Sequence, residues 1–357
     1  MPRFEEPALR RLPVLEPRKR ALETCVYCPK LCRSACPVSN AEPRETIIPW
    51  GKMSTAYFVA RGTAPLDASF AAPAWACTGC GACSEACDHR NDVAGTLLDA
   101  RAAFVARGVA PDAATRAIAR FGAHRDETAR AVDSLQNARV SNGKSPAFLI
   151  GCTYARKLPD AARAAIAIAE RVLGSVVLER ECCGLPLKLA GDASAYEAHV
   201  ARFSKREIVA HDPGCARALR ATGARVTLLV ELVAERLHDL REGPIPEDAR
   251  AVRYHDPCHL GRGLGVYDAP RAILTRVTGR APLELTARRE RAPCSGAGGL
   301  LPLTMPSASR EIARAVRAEH DDLARTDHAR ELVTACGSSA LRLGARDWTE
   351  LVAFRDA

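Results

Sequence analysis

Two short runs of cysteine restrict this chain more than any other feature. The first, CVYCPKLCRSACP, supplies Cys25, Cys28, Cys32 and Cys36, with Pro37 behind the last. The second, CTGCGACSEACD, supplies Cys77, Cys80, Cys83 and Cys87. Backbone that wraps four thiols around one small volume is committed to loops and short helical turns. Thiolate donors select zinc, copper(I) or iron–sulfur clusters. The bacterial cluster run is C-x2-C-x2-C-x3-C-P, and its fourth cysteine ligates the other cluster of a pair. The second run keeps that spacing and has Asp88 in place of the proline; the first keeps the proline and has one extra residue between Cys28 and Cys32. Zinc sites usually space two CxxC pairs apart, whereas a third cysteine only three residues on is a cluster spacing. The glycines of CTGCGAC let the backbone approach a cluster and turn N–H groups toward its sulfurs. The spacing predicts two 4Fe–4S clusters.

The remaining cysteines, Cys152, Cys182, Cys183, Cys215, Cys258, Cys294 and Cys336, are spread through the last two-thirds of the chain. The first 20 residues mix charge and proline and lack the apolar centre of a signal peptide, so the expectation is a chain that is not exported. Under reducing conditions thiols at this density are ligands or redox groups rather than disulfide partners. No apolar run reaches the roughly 18 residues of a membrane span. The net charge of +9 is spread thinly, with no block of five basic residues, which argues against nucleic acid.

Helical composition over Ser54 to Arg61 and Val93 to Arg107, each stopped by a glycine, predicts a helical N-terminal third. Val140 to Pro146 and Glu242 to Glu247 read as linkers. Between them Ala147–Ile150, Val176–Leu178 and Val226–Val230 read as strands, with helices over 161–173 and 193–210. After the second linker the succession recurs: strands at 252–254, 283–285 and 331–334, helices at 269–277 and 307–324. That is β-α-β-α-β twice, an internal repeat of α/β units. The cysteines repeat in phase, at Cys152 and Cys258, at Cys182-Cys183-Gly184 and Cys294-Ser295-Gly296, and at Cys215 and Cys336. Adjacent thiols form no unstrained disulfide with each other, and Gly184 and Pro186 predict a turn that holds Cys182 and Cys183 outward. With Cys152 and Cys215 arriving from neighbouring strand ends, four thiols converge at the carboxyl edge of one sheet.

With the paired cysteine runs, CCGLP at 182–186 and YHDPCHLGRG at 254–263 make the chain resemble, from Cys25 to Cys336, the cysteine-rich CCG-domain iron–sulfur proteins. That family includes the iron–sulfur subunit of glycolate oxidase, the C subunit of anaerobic glycerol-3-phosphate dehydrogenase, the lactate-utilisation iron–sulfur protein and the cluster-binding subunits of heterodisulfide reductase. In it a helical ferredoxin domain passes electrons between a flavoprotein and tandem CCG domains. In heterodisulfide reductase each CCG unit offers five cysteines, the last two as CxxC, around a noncubane cluster. Here Asp212 stands where one of these would be, and Ser295 and Ser339 replace two in the second half. The chain therefore resembles the glycolate and lactate type more closely. Asp212, His255, Asp256 and His259 are the residues that offer oxygen or nitrogen ligands for the gaps.

The resemblance implies a mixed fold: an N-terminal α-helical ferredoxin domain over 1–110, a helical linker over 111–145, and two repeated α/β CCG domains over 146–245 and 246–357. It implies an iron–sulfur electron-transfer subunit of a flavin-linked oxidoreductase acting on a 2-hydroxy acid or a glycerol-3-phosphate type of substrate. Cys25, Cys28, Cys32 and Cys87 would hold one 4Fe–4S cluster, and Cys77, Cys80, Cys83 and Cys36 the other. Cys152, Cys182, Cys183, Cys215, Cys258, Cys294 and Cys336 would form the terminal redox site, with room for a further cluster there. No strand-GxGxxG-helix or phosphate loop is present, so FAD is expected on a flavoprotein dehydrogenase partner. A quinone or other carrier would accept the electrons. The expected location is cytoplasmic, with peripheral association at the inner face of the membrane allowed. Two alternatives stand beside this reading, a heterodisulfide reductase-like catalytic subunit and a non-enzymatic cluster-binding protein.

Overall fold

The chain is helix-rich around two small parallel sheets. The structure, a computed structural model, describes residues 8–30, 32–135, 145–243 and 251–355; most of both linkers read from the sequence lies outside these. The described residues divide into two compact units. The first comprises Met1–Arg120, Pro186–Tyr196 and Gly296–Ile312, the second Phe121–Leu185, Glu197–Ser295 and Ala313–Ala357.

Helices α1 (Lys19–Val26), α2 (Pro49–Arg61) and α3 (Val93–Ala106) build the first unit. Proline at the first position of α2 presets its φ, and Gly62, at φ 90°, ends the helix with its N–H on the Phe58 carbonyl at 3.1 Å. The helix thus starts five residues before the stretch read from composition, because Pro49 nucleates it. In α3, Asp92 caps the first turn by accepting from Gly95 N–H at 2.9 Å. Leu22, Met53, Tyr57, Trp75, Leu97 and Phe104 meet in its core, each such side chain worth about 1.5–3 kcal/mol when buried. Cys25 lies in the last turn of α1, and the other seven cysteines of the two runs lie between these helices. Two later segments return to them: Trp75 Nε1 donates to the Ala190 carbonyl at 3.3 Å, and a Cβ on Gly299 would lie 1.9 Å from the Cys77 carbonyl oxygen.

In the second unit, α4 (Phe121–Asp133) precedes a sheet made from β1 (Ala147–Leu149), β2 (Val177–Leu178), β3 (Glu207–Ala210) and β4 (Arg225–Leu228). Helices α5 (Cys152–Lys157) and α6 (Pro159–Leu173) follow β1, and α7 (Pro213–Arg220) follows β3. A second sheet combines β5 (Val252–His255), β6 (Leu283–Glu284), β7 (Glu331–Thr334) and β8 (Arg346–Asp347). Their strand orders are β2-β1-β3-β4 and β6-β5-β7-β8, parallel throughout, so both follow one topology. Parallel strands are covered on both faces and read as short apolar runs; Phe148, Leu149, Ile208, Leu332 and Val333 are all buried.

Each sheet has four strands, not the three read from the sequence. The helix expected over 193–210 ends at Val200, and Glu207–Ala210 is instead β3, paired with both β1 and β4. Ile208-Val209-Ala210 extends an amphipathic stretch, so periodicity alone favoured helix. A left-handed Lys205 (φ 62°) and the pairing on both sides decide for strand. The strand expected to reach Val230 stops at Leu228, where a short helix begins. The fourth strand of the second sheet, β8, is the dipeptide Arg346-Asp347, which carries no apolar signal.

Asp347 is nonetheless buried, and holds the two sheets' elements together. The Tyr154 hydroxyl, on α5, donates to Asp347 Oδ2 at 2.5 Å, and Thr349 Oγ1 donates to Oδ1 at 2.6 Å. Tyr154→Phe strands one oxygen of a buried carboxylate. It should lower the stability of this unit by about 1–3 kcal/mol, read as a lower denaturant midpoint with an unchanged slope.

Candidate functional site

The first sulfur site takes ligand atoms from both cysteine runs. Cys36, Lys52, Cys77, Cys80 and Cys83 line a single recess. Gly79 (φ 70°) and Gly81 (φ 75°) turn the Cys77–Cys83 loop through left-handed conformations that a side chain resists. The Gly79 N–H points at Cys77 Sγ, 3.4 Å away. Burial raises the Cys83 thiol well above its ordinary range, with Cys77, Cys80, Cys36 and Cys32 adding to it in that order.

Two buried cations stand against this group. Lys52, 2% exposed on α2, places Nζ 3.3 Å from Cys36 Sγ. Arg101, 1% exposed on α3, donates to four carbonyls: Ala74 at 3.0 Å, Leu189 at 2.9 Å, Gly299 at 3.0 Å and Cys77 at 2.7 Å. Burial brings its guanidinium down to about 10, opposed by charge on Cys77. Neither cation has a carboxylate partner among the described residues. An unpaired buried charge costs several kcal/mol. A soft, sulfur-bound, anionic group removes that cost, and so these residues fit an iron–sulfur cluster.

The other run groups differently. The Cys25 thiol is pushed up to about 12, chiefly by burial, against a hydrogen bond from Asn91, with Cys32, Cys87 and Cys28 adding charge. Cys32 rises to about 11, again by burial and then by Cys87 and Cys28. Asn91 Nδ2 lies 3.1 Å from Cys25 Sγ and 2.8 Å from the Ala21 carbonyl, which fixes a neutral donor on that sulfur.

In the second unit Cys152 opens α5 after β1, Cys182 and Cys183 follow β2, and Cys215 lies in the first turn of α7 after β3. Their thiols form one hydrogen-bonded chain, Cys152 to Cys182 to Cys183 to Cys215. The turn at Gly184 (φ 76°) is present, but Cys182 and Cys183 are each 2% exposed, buried rather than held outward. Cys152 is raised well above its usual range by its bond to Cys182 and by burial. For Cys215 the bond with Cys183 favours thiolate, yet burial and Asp212 push it up to about 12.

His124 completes this group. It sits on α4, inside the stretch read as linker, and nothing in its sequence surroundings marks it. The ligand atoms of His124, Cys152 and Cys182 all lie within 4.8 Å of one another. Arg156 Nη1 is 2.7 Å from His124 Nδ1, and a guanidinium can only donate. Nδ1 therefore accepts, and the proton remains on Nε2, 3.7 Å from Cys182 Sγ. In this orientation His124 offers sulfur a hydrogen-bond donor.

Three of the four oxygen and nitrogen side chains singled out for the gaps, Asp212, Asp256 and His255, have other partners. Asp212 caps α7 through Gly214 N–H at 2.8 Å and Cys215 N–H at 3.1 Å. Asp256 is held by Arg271 in a two-pronged pair at 2.7 and 2.8 Å. His255 bonds Thr334 and the Pro293 carbonyl through its two ring nitrogens, and burial brings it down to about 4. Burial, with Arg217 and Arg262, lowers His259 to about 3. Of the second half's three thiols, Cys294 and Cys336 are buried and Cys258 is half-buried. Ser339 Oγ donates to Ser295 Oγ at 3.0 Å, and the Ser339 side chain also bonds to the Cys336 thiol.

Cysteines of both runs gathered in one recess beside buried cations, together with a thiol-rich α/β region, fit an iron–sulfur electron-transfer protein. A 4Fe-4S dicluster domain family matches residues 21–91, and a cysteine-rich domain family, CCG, matches residues 252–343. Both matches are consistent with the CCG iron–sulfur proteins, which the cysteine motifs resemble. It is 29% identical over 286 residues to the B subunit of the fumarate reductase (CoM/CoB) of Methanothermobacter marburgensis, covering 73% of this chain and 55% of that one. To the D subunit of the dihydromethanophenazine:CoB–CoM heterodisulfide reductase of Methanosarcina mazei it is 26% identical, over 82% of each chain. The probable iron-sulfur-binding oxidoreductase FadF of Bacillus subtilis is 25% identical over 63% of this chain and 37% of its own. No solved structure matches. No helix among the described residues is long and apolar enough to cross a membrane.

The raised thiols at Cys152, Cys182, Cys183 and Cys215 carry protons at neutral pH, and a metal must displace them. Affinity of the metal-free protein for zinc should rise with pH, by about tenfold per unit for each proton released. Competition with a chelator between about pH 6 and about pH 8 measures it; a pH-independent affinity would place zinc away from these thiols.

Proposed function

We propose that this chain is the electron-transfer subunit of a flavin-linked oxidoreductase, receiving electrons from a flavoprotein dehydrogenase and delivering them to a quinone or other carrier. The observation that carries the reading is the recess in which Cys36 of the first run joins Cys77, Cys80 and Cys83 of the second. Cys25, Cys28, Cys32 and Cys87 would hold one 4Fe–4S cluster, and Cys36, Cys77, Cys80 and Cys83 the other. Such clusters, when bound, supply one-electron transfer. The chain's own part is to hold eight sulfurs in two groups of four, shield them from water and supply cations and N–H donors. Cys152, Cys182, Cys183 and Cys215, with His124 donating to sulfur, form the further redox site of the first CCG unit; the matching strand orders support reading the second sheet as a second such unit.

Anaerobically prepared protein should be brown and contain at least about eight irons with matching sulfide. Cys25→Ala and Cys87→Ala should disturb one EPR signal, and Cys36→Ala the other. Two zincs without sulfide would end the electron-transfer reading. Damage to one and the same signal by Cys25→Ala and Cys36→Ala would mean each run closes on its own metal.

A second reading draws on the similarity to the heterodisulfide reductase D subunit along 82% of each chain. On it the Cys152–Cys215 group itself cleaves a substrate disulfide. Turnover of small disulfides with reduced viologen, abolished in Cys182→Ser, is the expected result; a protein that reduces an acceptor yet never a disulfide excludes this reading.

A further inference from the structure

The two four-sulfur groups of the first unit are not equivalent in charge. Lys52 and Arg101 are its only buried lysine or arginine side chains among the described residues. Both stand at one group, Lys52 on Cys36 Sγ at 3.3 Å and Arg101 on the Cys77 carbonyl at 2.7 Å. The sulfur of Cys25 receives instead the neutral amide of Asn91 at 3.1 Å. The cations near the first run are engaged with carboxylates in partly exposed positions: Arg18 with Asp92 and Asp99, Lys30 and Arg33 with Glu45.

Reduction adds one negative charge to a sulfur-ligated iron group, and a fixed cation in contact with its sulfur favours that state. The potential of such groups follows net charge, hydrogen bonds to sulfur and solvent exposure. A neutral donor contributes the hydrogen bond without the charge. Among the described residues Lys52 also has no carboxylate counter-ion, which leaves the sulfur group as its partner.

We propose that Lys52 is the dedicated counter-charge of the Cys36–Cys77–Cys80–Cys83 group and makes it the more easily reduced of the two. Electrons entering the unit would therefore come to rest on the Cys36 side. This rests on the two-cluster reading above. Lys52 is a positioning residue, since it acts through Cys36 sulfur rather than on a substrate.

The test is a redox titration of the full chain, followed by EPR, with iron and sulfide counted in every sample. Wild type must first show two reducible signals; their absence would sink the two-cluster reading without bearing on Lys52. The signal of lower midpoint should then be the one that Cys25→Ala removes. Lys52→Gln, which keeps a donor without charge, should move the other signal to a more negative midpoint and leave its neighbour in place. Lys52→Arg should stay near wild type. Loss of that one group's iron from Lys52→Gln, restored in Lys52→Arg, supports the same assignment, because charge and not side-chain length is then what the group needs. Unmoved midpoints in Lys52→Gln, equal shifts of both signals, or equal iron loss from the Gln and Arg variants would overturn it.

Discussion

A single buried guanidinium holds the first unit's loops in place. Arg101 reaches from α3 to carbonyls at Ala74, Cys77, Leu189 and Gly299, four points scattered over more than half the chain's length. Carbonyls left without donors in a buried site would each cost about 1–3 kcal/mol. The five donors of one planar group meet that need with little loss of side-chain freedom. The Cys77 loop is fixed as a result, and Cys80 and Cys83 with it. Gly299 lies so close that its missing Cβ is part of the same arrangement: any side chain there would collide with the Cys77 carbonyl.

Around this anchor, charge explains what packing does not. Protein interiors tolerate few unpaired cations, yet Lys52 and Arg101 are both buried without carboxylates. An anionic cluster bound to these sulfurs would resolve the conflict. The apparent cost of the cations and the apparent cost of the clustered thiols are two halves of one balanced site. The α/β unit meets the problem differently. There the free thiols Cys152, Cys182, Cys183 and Cys215 lie against one another, and His124, turned by Arg156, brings a nitrogen donor in place of a buried cation. Beside the second sheet Asp256 is paired with Arg271, His255 is bonded at both nitrogens, and Ser339 bonds to Ser295.

How far the sequence could be read depended on the range of the deciding interaction. Spacing within Cys77–Cys87 and Cys25–Cys36 announced sulfur sites because a cluster imposes local spacing. The helices at Pro49–Arg61, Val93–Ala106 and Pro306–Asp327 were legible from composition and glycine or proline ends. By contrast, β3 was misread as helix because its sheet pairing, not its periodicity, makes it a strand. The short β8 carries almost no pattern, and its Asp347 becomes structural only when Tyr154 and Thr349 arrive from elsewhere.

Residue types and short spacings were enough to point to an N-terminal 4Fe–4S dicluster domain and a cysteine-rich α/β region, and to the resemblance to the CCG iron–sulfur proteins. Each of those features is local, so the chain carries it before it folds. Which side chains surround the sulfurs is settled only by folding. Lys52 against Cys36, Asn91 against Cys25, Arg101 across four loops and His124 beside Cys182 are each partners at sequence distances from 16 to 198 residues. No local pattern marks such a pair, because the constraint joining them is a buried charge or donor that must find its partner in space.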